Sequence, residues 1–478
     1  MESESISIKE NKDNNKNKPI ILSRKVRWFL LIFFCFINGI LTINSGVFSA
    51  AVSKIKNDLS INDEEFGLLG TIGGIGNLLG ALVFTVLISC LNSKVFLVLC
   101  LFFNIFGHFL VFISNNYIIL LIGRFIAGIQ TVCLFIYFPV WINQFSIQSL
   151  KPLFMTIFQS TGTLSLIWGY LVNLIVGPEK WRLGFLIEIG LECFSLVIIL
   201  FIPYQYCDKA LFFFKHRSEN IDAKEVEQKD STRLESIFSP EKKEDKTTND
   251  DNGKEETIMS GVICNALLIF VTSFRSVQCF ISLALTYWYT DYVEDELKIT
   301  DARVIFISYT ISSIISGFIG VTMGGCINTC FGKKSAKIHP MIIGAFHLFA
   351  TVVCLFIPYV KSIELFTILM FLFNVASYMT TPFEIAITFD IIPKKMAGVA
   401  NGLLGIFMNI TAFLPAPIVY GMIKGNFGSK VAMDVMAKYN LVGGFFIIIS
   451  IWLQRRKNKK LEEKENNGIM LKDIEINK

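Results

Sequence analysis

The stretch that decides the fold is Tyr117–Phe145, YIILLIGRFIAGIQTVCLFIYFPVWINQF, one long apolar run with an arginine, Arg124, in its first third. A helix rises about 1.5 Å per residue, so this run is long enough to cross a bilayer core of about 30 Å. An arginine inside such a helix costs about 2.5 to 3.5 kcal/mol on insertion scales, so Arg124 should face protein or water rather than lipid. Arg124 is therefore a functional candidate, and the alternative is a structural arginine bonded to backbone carbonyls of neighbouring helices.

Composition places the whole chain among polytopic membrane proteins. Of its 478 residues, 53% are hydrophobic and only 17% are charged. Twelve apolar runs have spanning length, which predicts an all-α polytopic membrane protein with twelve transmembrane helices. We number these runs spans 1 to 12 and place them at 26–52, 66–90, 94–113, 117–145, 152–176, 183–203, 259–290, 302–328, 337–359, 363–391, 396–423 and 438–454.

Basic residues predict the orientation, because loops on the cytoplasmic side of a membrane collect Lys and Arg. The two tails and the even-numbered loops hold 32 of the 44 Lys and Arg residues, and the odd-numbered loops hold 10. Without the long central loop the balance is still 22 against 10. Both termini are therefore expected in the cytoplasm.

Polar stretches divide the chain into five parts. Residues 1–25 are too polar to pack and should form a disordered cytoplasmic tail. Residues 204–258 hold ten basic and fourteen acidic residues, which indicates a cytoplasmic linker. The linker joins two six-helix bundles, 26–203 and 259–454, and residues 455–478 form a charged cytoplasmic C-terminal tail.

The second half of the chain repeats features of the first, as in membrane proteins built by internal duplication. The tripeptide IND at 61–63 precedes span 2, where Asn62 and Glu65 can form a capping box, and ITD at 299–301 precedes span 8. Both spans then carry glycines that let helices approach closely in lipid, namely Gly70, Gly74, Gly76, Gly80, Gly320 and Gly324. The repeat predicts two pseudo-symmetric bundles.

Several classes of protein are excluded. The sequence has no P-loop GxxxxGK[ST], no HExxH and no convergent His and carboxylate set within one span, so we predict no enzyme and no cofactor or metal. The eleven cysteines lie mostly within spans and predict no disulfide framework. The net charge of +5 comes from the tails, which suits anionic membrane lipids and does not indicate a nucleic-acid partner.

Two motifs carry a family resemblance. The segments GRFIAG at 123–128 and GCINTCFGKK at 325–334 are similar to the fourth-helix motif and the cytoplasmic-loop motif of the major facilitator superfamily of secondary transporters. Within that superfamily, IKNDLSINDEEFGLL at 55–69, WRLGF at 181–185 and PKKMAGVAN at 393–401 resemble the spinster-like transporters. The resemblance implies two six-helix halves that work by alternating access. It also implies export of lysophospholipids or sphingoid lipids, partly with proton coupling.

The chain departs from the family pattern at three places. Thr329 and Cys330 stand where the loop motif usually has Asp and Arg, and the corresponding loop of the first half lacks the motif. Thr131 stands near an acidic position of the spinster-like proteins, and span 1 lacks their Asp-Arg pair.

In the resembled fold, spans 1, 4, 7 and 10 line a central cavity, with spans 2, 5, 8 and 11 beside them. Arg124 and Arg275 would face each other across this cavity and hold an anionic or zwitterionic head group, because a guanidinium binds carboxylate or phosphate in a fork. An interhelical hydrogen bond is the alternative for each Asn or Gln. The further candidate ligands are Asn38, Gln130, Tyr137, Gln159, Gln278, Ser282, Tyr287, Trp288, Asn374 and Tyr378.

Few acidic residues lie inside the spans. Glu384, on a cavity helix, is the candidate proton carrier. Glu188 and Glu192 lie four apart on span 6, which is peripheral in the resembled fold, so we expect a bond to span 5 or the membrane interface. His108 and His347 on spans 3 and 9 are also peripheral, and we expect satisfied core histidines.

Together these features predict a secondary active or facilitative transporter for a small organic or amphipathic solute. The solute class is anionic or zwitterionic and lysolipid-like, with proton coupling if Glu384 exchanges protons. The alternative is a membrane receptor or sensor that keeps the transporter fold without turnover. We expect a monomer in the plasma membrane or in a lysosome-like or vacuole-like organelle.

Overall fold

The computed structural model describes most of the chain, and every secondary-structure element in the described ranges is helical. The predicted tail and linker lie mostly outside these ranges, and so do 332–337 and 393–403, which carry parts of the resemblance motifs. Some side chains within the described helices are also left out. The described ranges are 22–41, 43–90, 92–146, 150–207, 265–331, 338–392 and 404–476.

Twelve helical spans run through the described residues in the predicted order. Ten are long and apolar enough to cross a membrane. The other two, spans 4 and 5, are continuous helices of 29 and 26 residues in which some side chains are not described. The chain is therefore an integral, multi-pass, all-α membrane protein, as predicted.

The structure gives the residue bounds of each span, and short helices follow spans 1 and 7. The helices are Arg24–Ile40 and Ile43–Ala50 (span 1), the short helix Val52–Leu59, Asp63–Cys90 (span 2), Ser93–Ile113 (span 3), Tyr117–Phe145 (span 4), Lys151–Val176 (span 5), Trp181–Phe201 (span 6), Ala266–Tyr287 (span 7), the short helix Tyr289–Glu296, Ala302–Tyr309 and Ser316–Phe331 (span 8), His339–Phe356 (span 9), Ile363–Ile391 (span 10), Pro415–Phe427 (span 11) and Ser429–Ile476 (span 12).

Two spans contain π-helical segments that hydropathy does not predict. In span 8 the segment covers Thr310–Ile315, and the side chain of Asn374 in span 10 donates to the Ser312 carbonyl at 2.7 Å. In span 11 it covers Asn409–Phe413, shortly before Pro415, whose nitrogen cannot donate. Side-chain donors from neighbouring spans can satisfy backbone carbonyls at such irregular turns inside a membrane.

Span 12 differs most from its predicted bounds of 438–454. The helix begins at Ser429, and its first turns carry charged residues such as Asp434 and Lys438, which pair at 2.5 Å. Hydropathy marks only the part of a helix that lies in hydrocarbon, so it misses turns that extend beyond the membrane core.

Matching caps begin spans 2 and 8. The Asn62 side chain accepts from the Glu65 N–H at 2.8 Å, and the Glu65 carboxylate accepts from the Asn62 N–H at 2.8 Å, which confirms the capping box. The Asp301 carboxylate accepts from the Arg303 N–H at 2.8 Å at the start of span 8. The two halves therefore begin their second helix in a similar way.

The two halves also pack their spans in the same pairs. In the first half, span 4 packs against spans 2 and 3, span 3 against span 6, and span 1 against span 5. In the second half, span 10 packs against spans 8 and 9, span 9 against span 12, and span 7 against span 11. This correspondence supports two pseudo-symmetric six-helix bundles, whose residue boundaries stay predictions.

Glycines permit the closest approaches within each half. A Cβ on Gly76 of span 2 would lie 2.4 Å from the Phe125 carbonyl oxygen of span 4. A Cβ on Gly324 of span 8 would lie 2.4 Å from the Met379 carbonyl oxygen of span 10. No side chain fits at either distance, which confirms the close-packing role of these two glycines.

The apolar core distinguishes the two ends of the molecule. We call the end with the turns after the odd-numbered spans the hairpin end, and the opposite end the terminal end. Near the hairpin end, one cluster of buried apolar side chains joins both halves, for example Phe66 and Tyr170 with Trp288 and Tyr420. Toward the terminal end, the described side chains form separate clusters for the first and the second half. Among these residues, the halves share a core only at the hairpin end.

Candidate functional site

Charged residues of both halves meet at the hairpin end. Lys56, in the short helix after span 1, lies 2.7 Å from Asp63 and 2.7 Å from Asp291, which follows span 7. Lys424 of span 11 pairs with Asp291 and lies 3.3 Å from Asp63. It also lies 2.7 Å from Asp295. We call these five residues the latch, and because Asp291 and Lys424 are buried, water screens their interaction little.

Burial and lysine charges act in opposite directions on two latch carboxylates outside the spans. Burial raises the pKa of Asp291 above its usual value, and the ammonium groups of Lys424 and Lys56 offset only part of that rise. Burial also acts upward on Asp295, but hydrogen bonds from Lys424 and Ser429 and the Lys424 charge outweigh it, so its pKa is lowered. Asp295 is therefore an ionised partner of the latch at neutral pH.

Aromatic side chains seal the same end. The Trp288 indole N–H donates to the Pro417 carbonyl at 3.0 Å, and its ring centre lies 5.9 Å from the Lys56 ammonium. The Tyr287 hydroxyl donates to the Phe66 carbonyl at 3.1 Å. The structure thus places the predicted ligands Tyr287 and Trp288 in the contact between the halves, where both are buried.

A further ion pair lies inside the second half. Arg275 of span 7 faces Glu384 of span 10, with 3.8 Å between Nε and Oε2. Glu384 is buried, and the Thr380 hydroxyl donates to its Oε1 at 2.5 Å. The Arg275 side chain remains 35% exposed, so part of its guanidinium is open to a further partner. The predicted substrate ligand and the predicted proton carrier are therefore paired.

Two hydroxyl groups lie on the same two spans. The Ser282 hydroxyl is 3.4 Å from that of Tyr378, and Ser282 follows Arg275 by about two helical turns. A Cβ on Gly317 of span 8 would lie 3.4 Å from the Tyr378 ring, so span 8 packs closely against this ring. Spans 7 and 10 thus bring together four predicted candidates, Arg275, Ser282, Tyr378 and Glu384.

The structure places Arg124 elsewhere, inside the first half. One guanidinium nitrogen donates to Asn44 Oδ1 at 2.6 Å, and the group lies 4.3 Å from the Phe48 ring centre. Arg124 is only 8% exposed, and a Cβ on Gly73 of span 2 would lie 3.7 Å from its Nη2. Arg124 shares none of these neighbours with Arg275. The structure therefore does not bring the two arginines together around one head group.

Four further predicted ligands form hydrogen bonds within their own half. For the Asn and Gln residues among them, such a bond is the alternative to substrate binding. Their substrate roles stay predictions, and the side chains of Gln130 and Gln159 lie outside the described part of the chain. The bonds run from Asn38 to the Phe158 carbonyl at 3.0 Å, from Tyr137 to the Cys207 carbonyl at 3.1 Å, from Gln278 to the His347 ring at 2.8 Å and from Asn374 to the Ser312 carbonyl at 2.7 Å.

The sequence does not predict a polar cluster that lies inside the first half. His108 Nδ1 lies 3.2 Å from the Glu192 carboxylate, to which Asn104 donates at 2.6 Å. The Asn44 amide donates to Glu188 at 3.1 Å. We call these five buried residues the buried cluster. Their acids contact spans 1 and 3 rather than span 5, which corrects the expected partner. The available signal was the spacing of four between the polar residues on span 3 and on span 6.

Comparisons with known sequences give a family match and several similar transporters. The model of the Major Facilitator Superfamily matches residues 34–416. Probable polyol transporter 3 of Arabidopsis thaliana is 26% identical over 158 residues, which are 33% of this chain and 31% of that protein. Glucose transporter GlcP of Staphylococcus epidermidis is 24% identical over 292 residues, which are 61% of this chain and 64% of that protein. The chain thus matches less than two thirds of either relative.

Solved structures share the fold. The crystal structure of a bacterial homologue of the human lysosomal transporter Spinster, in an inward-facing and unoccupied conformation, has a TM-score of 0.74 and 12% identity, and the match covers 91% of this chain and 99% of that chain. The nucleoside transporter NupG, crystallised as a point mutant, has a TM-score of 0.64 and 13% identity, with 88% and 99% covered. At such identities the likeness shows the twelve-helix fold alone.

Proposed function

Because the chain belongs to the major facilitator superfamily, we propose that it is a transporter that moves a small organic solute by alternating access. The matching family and relatives are transporters rather than enzymes. The observation that carries this proposal is the asymmetry of the core, which joins the halves at the hairpin end and separates toward the terminal end. Rocking of the two halves, with release of the latch, would open the hairpin end and close the terminal end.

The substrate site of this proposal lies between spans 7 and 10. The open part of the Arg275 guanidinium suits a carboxylate or phosphate, while Glu384 holds the arginine in place and can balance a cationic group of the same solute. The hydroxyl groups of Ser282 and Tyr378 add hydrogen-bonding capacity. These groups favour an anionic or zwitterionic head group, such as that of a lysophospholipid.

Glu384 stays the candidate for proton coupling in the second half. Arg275 favours its ionised form as long as the two remain paired. A substrate anion on Arg275 would weaken that pair and allow the buried carboxylate to take up a proton. Proton uptake would then accompany substrate binding.

A second candidate solute is a polyol or sugar. It is favoured by the sequence match to a polyol transporter of Arabidopsis thaliana and to the glucose transporter GlcP. The hydroxyl groups of such a solute would donate hydrogen bonds to Glu384 and would form hydrogen bonds with Ser282 and Tyr378.

We also propose that the terminal end faces the cytoplasm. The support is the excess of basic residues in the tails and even-numbered loops, 32 against 10. Protease added from the cytoplasmic side should cleave within 204–258, and intact cells should protect that segment if the protein lies in the plasma membrane. Cleavage by protease added outside intact cells would show that the terminal end faces the opposite side of the membrane.

Counterflow in liposomes tests transport directly. Purified protein is reconstituted, loaded with unlabelled solute and offered the labelled form of lysophosphatidylcholine, mannitol or glucose in separate assays. A transporter accumulates one of these labels transiently, whereas a receptor or sensor binds a label without exchange. Binding without counterflow would therefore replace the transport proposal by the sensor alternative.

Conservative changes at the two arginines test the site. Arg275→Lys keeps the charge but loses the fork, so the apparent affinity for a head-group solute should fall about tenfold while thermal stability changes little. Arg124→Lys should lower the melting temperature, with the affinity of the folded protein unchanged, because Arg124 is buried and bonded to Asn44. Normal affinity in Arg275→Lys would rule out its role as the head-group ligand.

A further inference from the structure

The buried cluster poses a problem of charge balance. The ligand atoms of His108, Glu188 and Glu192 lie within 4.8 Å of one another, and the three side chains are 0%, 0% and 1% exposed. Charges removed from water to this degree must be compensated by neighbours. Two ionised carboxylates carry two negative charges, and Arg124, linked through Asn44, supplies one positive charge. With a neutral imidazole, the site lacks one positive charge.

The hydrogen bonds of Asn44 show which atom of His108 is open to a proton. Arg124 donates to the amide oxygen of Asn44 at 2.6 Å, so the amide nitrogen must point the other way. That nitrogen lies 3.0 Å from the Leu41 carbonyl and 3.1 Å from Glu188 Oε1, and these two oxygens accept its two hydrogens. His108 Nδ1 donates to Glu192 at 3.2 Å, while Nε2 receives no hydrogen from Asn44 and lies 3.9 Å from Glu188 Oε1. Without a proton on Nε2 the imidazole is neutral, and the charge deficit remains.

One carboxylate oxygen of Glu188 is a candidate site for a proton. Its Oε1 accepts from both the backbone N–H and the amide of Asn44, at 3.3 and 3.1 Å. Its Oε2 has no hydrogen-bond partner among the described atoms, although the side chain is completely buried. An ionised oxygen in that position is unfavourable. A proton here, or on the adjacent His108 Nε2, restores charge balance.

We propose that the buried cluster binds one exchangeable proton, which His108, Glu188 and Glu192 share. The other groups that face the cluster are Arg124 from span 4 and the neutral amides of Asn44 and Asn104. With the proton, the two carboxylates, Arg124 and the imidazole sum to zero charge. The proton comes from water and returns to it, so no other bond is made or broken.

A divalent cation fits the same atoms less well. The Asn44 amide directs an N–H group toward Glu188 Oε1, an oxygen that a cation would need. A guanidinium that already shares this site adds electrostatic repulsion. These two features favour a proton over a metal ion.

The cluster is connected to the contact between the halves. Glu188 accepts the backbone N–H of Asn44 in the first turn of the helix Ile43–Ala50. The next helix begins directly after it and carries Ser53, whose hydroxyl bonds Glu294 of the second half. Binding or release of the proton would therefore change the hydrogen bonds of the helices that lead to the closed hairpin end. This coupling step rests on the proposed transport, whereas proton binding itself does not.

Unfolding as a function of pH tests proton binding without any solute, on the full chain in detergent. The folded wild type should hold a proton that the unfolded chain releases. Its unfolding constant should therefore rise about tenfold per pH unit over the range in which the unfolded chain has already lost this proton and the folded protein still holds it. In Glu188→Gln, Arg124 and Glu192 balance each other, and this component should be lost. Glu192→Gln is a second variant with the same expectation.

The matched control is His347→Gln in the second half, which should keep the wild-type pH profile. Identical profiles in the wild type and in both glutamine variants would overturn the proposal. A rise in melting temperature with added zinc chloride, seen in the wild type and absent in Glu188→Gln, would overturn it in favour of a metal site. Either failure leaves the counterflow result unaffected, so the two proposals fail separately.

Discussion

The two halves of the molecule place a histidine at similar points of the same scaffold and surround it differently. His108 on span 3 lies against span 6 and faces carboxylates. His347 on span 9 lies against spans 7 and 12, where its ring is 2.8 Å from the Gln278 amide of span 7 and 3.0 Å from the Asn440 carbonyl of span 12. Those partners are neutral and need no proton. The difference shows that the two halves share their packing, while only the histidine of the first half lies among carboxylates.

The correspondence extends to single positions. Glu192 lies eleven residues after the first residue of span 6, and Asn440 lies eleven residues after the first residue of span 12. The side chain of an acid meets the histidine in one half, and the backbone carbonyl of an asparagine meets it in the other. Because the surrounding helices pack alike, variants in the second half serve as matched controls for variants in the first.

Removal of a cluster charge should produce the largest difference between the halves. Arg124→Leu leaves two buried carboxylates without their positive neighbour, which should lower the free energy of unfolding by about 3 to 5 kcal/mol. Gln278→Leu leaves one imidazole nitrogen unpaired and should cost about 1 to 3 kcal/mol. Denaturant unfolding in detergent measures both. The loss of unfolding free energy in Arg124→Leu should also become smaller as pH falls. Equal losses in the two variants at every pH would contradict the proposed difference between the halves.

The latch offers a test at the contact between the halves, where the second half supplies most of the charges. Lys424→Met leaves Asp291 with only Lys56, so the hairpin end should open more often. Thr71 is buried and its side chain bonds the Leu414 carbonyl. We expect the cysteine in Thr71→Cys to react with a water-soluble thiol reagent at least about tenfold faster when Lys424→Met is present than when Lys424 is intact.

The control for that variant is Lys438→Met, which removes an exposed i,i+4 pair with Asp434 on the same half. Such a pair contributes only about 0.3 to 0.5 kcal/mol, so the labelling rate at Thr71→Cys should stay at its original value. The same acceleration in both lysine variants would show that Lys424 has no special role in closure.

Acid should weaken the latch to a smaller extent. Since Lys424 and Ser429 hold the pKa of Asp295 below its usual value, its stabilising contribution is complete above about pH 3.9 and is lost as pH falls through the lowered pKa. Labelling at Thr71→Cys, normalised to a free thiol at each pH, should rise only in that acid range. Asp295→Asn should show the acid rate already at neutral pH, and an unchanged acid response in this variant would exclude Asp295 as the responsible group.

Sequence patterns predicted the features that depend on short stretches of chain. The spans follow from hydropathy, the Asn62 and Glu65 capping box from spacing, and the packing of Gly76 and Gly324 from helix geometry in lipid. Each signal lies within one helix or one turn. The π-helical segments and the early start of span 12 have no such local hydropathy signal.

The sites were harder to predict because they join distant parts of the chain. The acids on span 6 were recognised, but their histidine partner lies on span 3, and nothing within span 6 identifies the neighbouring helix. Lys56 and Lys424 were counted only as orienting charges, since their pairing with Asp291 requires the two halves to close. The ion pair between Arg275 and Glu384 likewise depends on how spans 7 and 10 pack against each other.

Proton uptake by the purified protein tests the central difference between the halves most directly. An unbuffered solution of each variant is titrated over the pH range in which it stays folded, and the protons taken up per molecule are counted with a pH electrode. The account predicts that Glu188→Gln takes up about one proton fewer than the wild type and that His347→Gln takes up as many as the wild type. Equal uptake by the wild type and Glu188→Gln would contradict it.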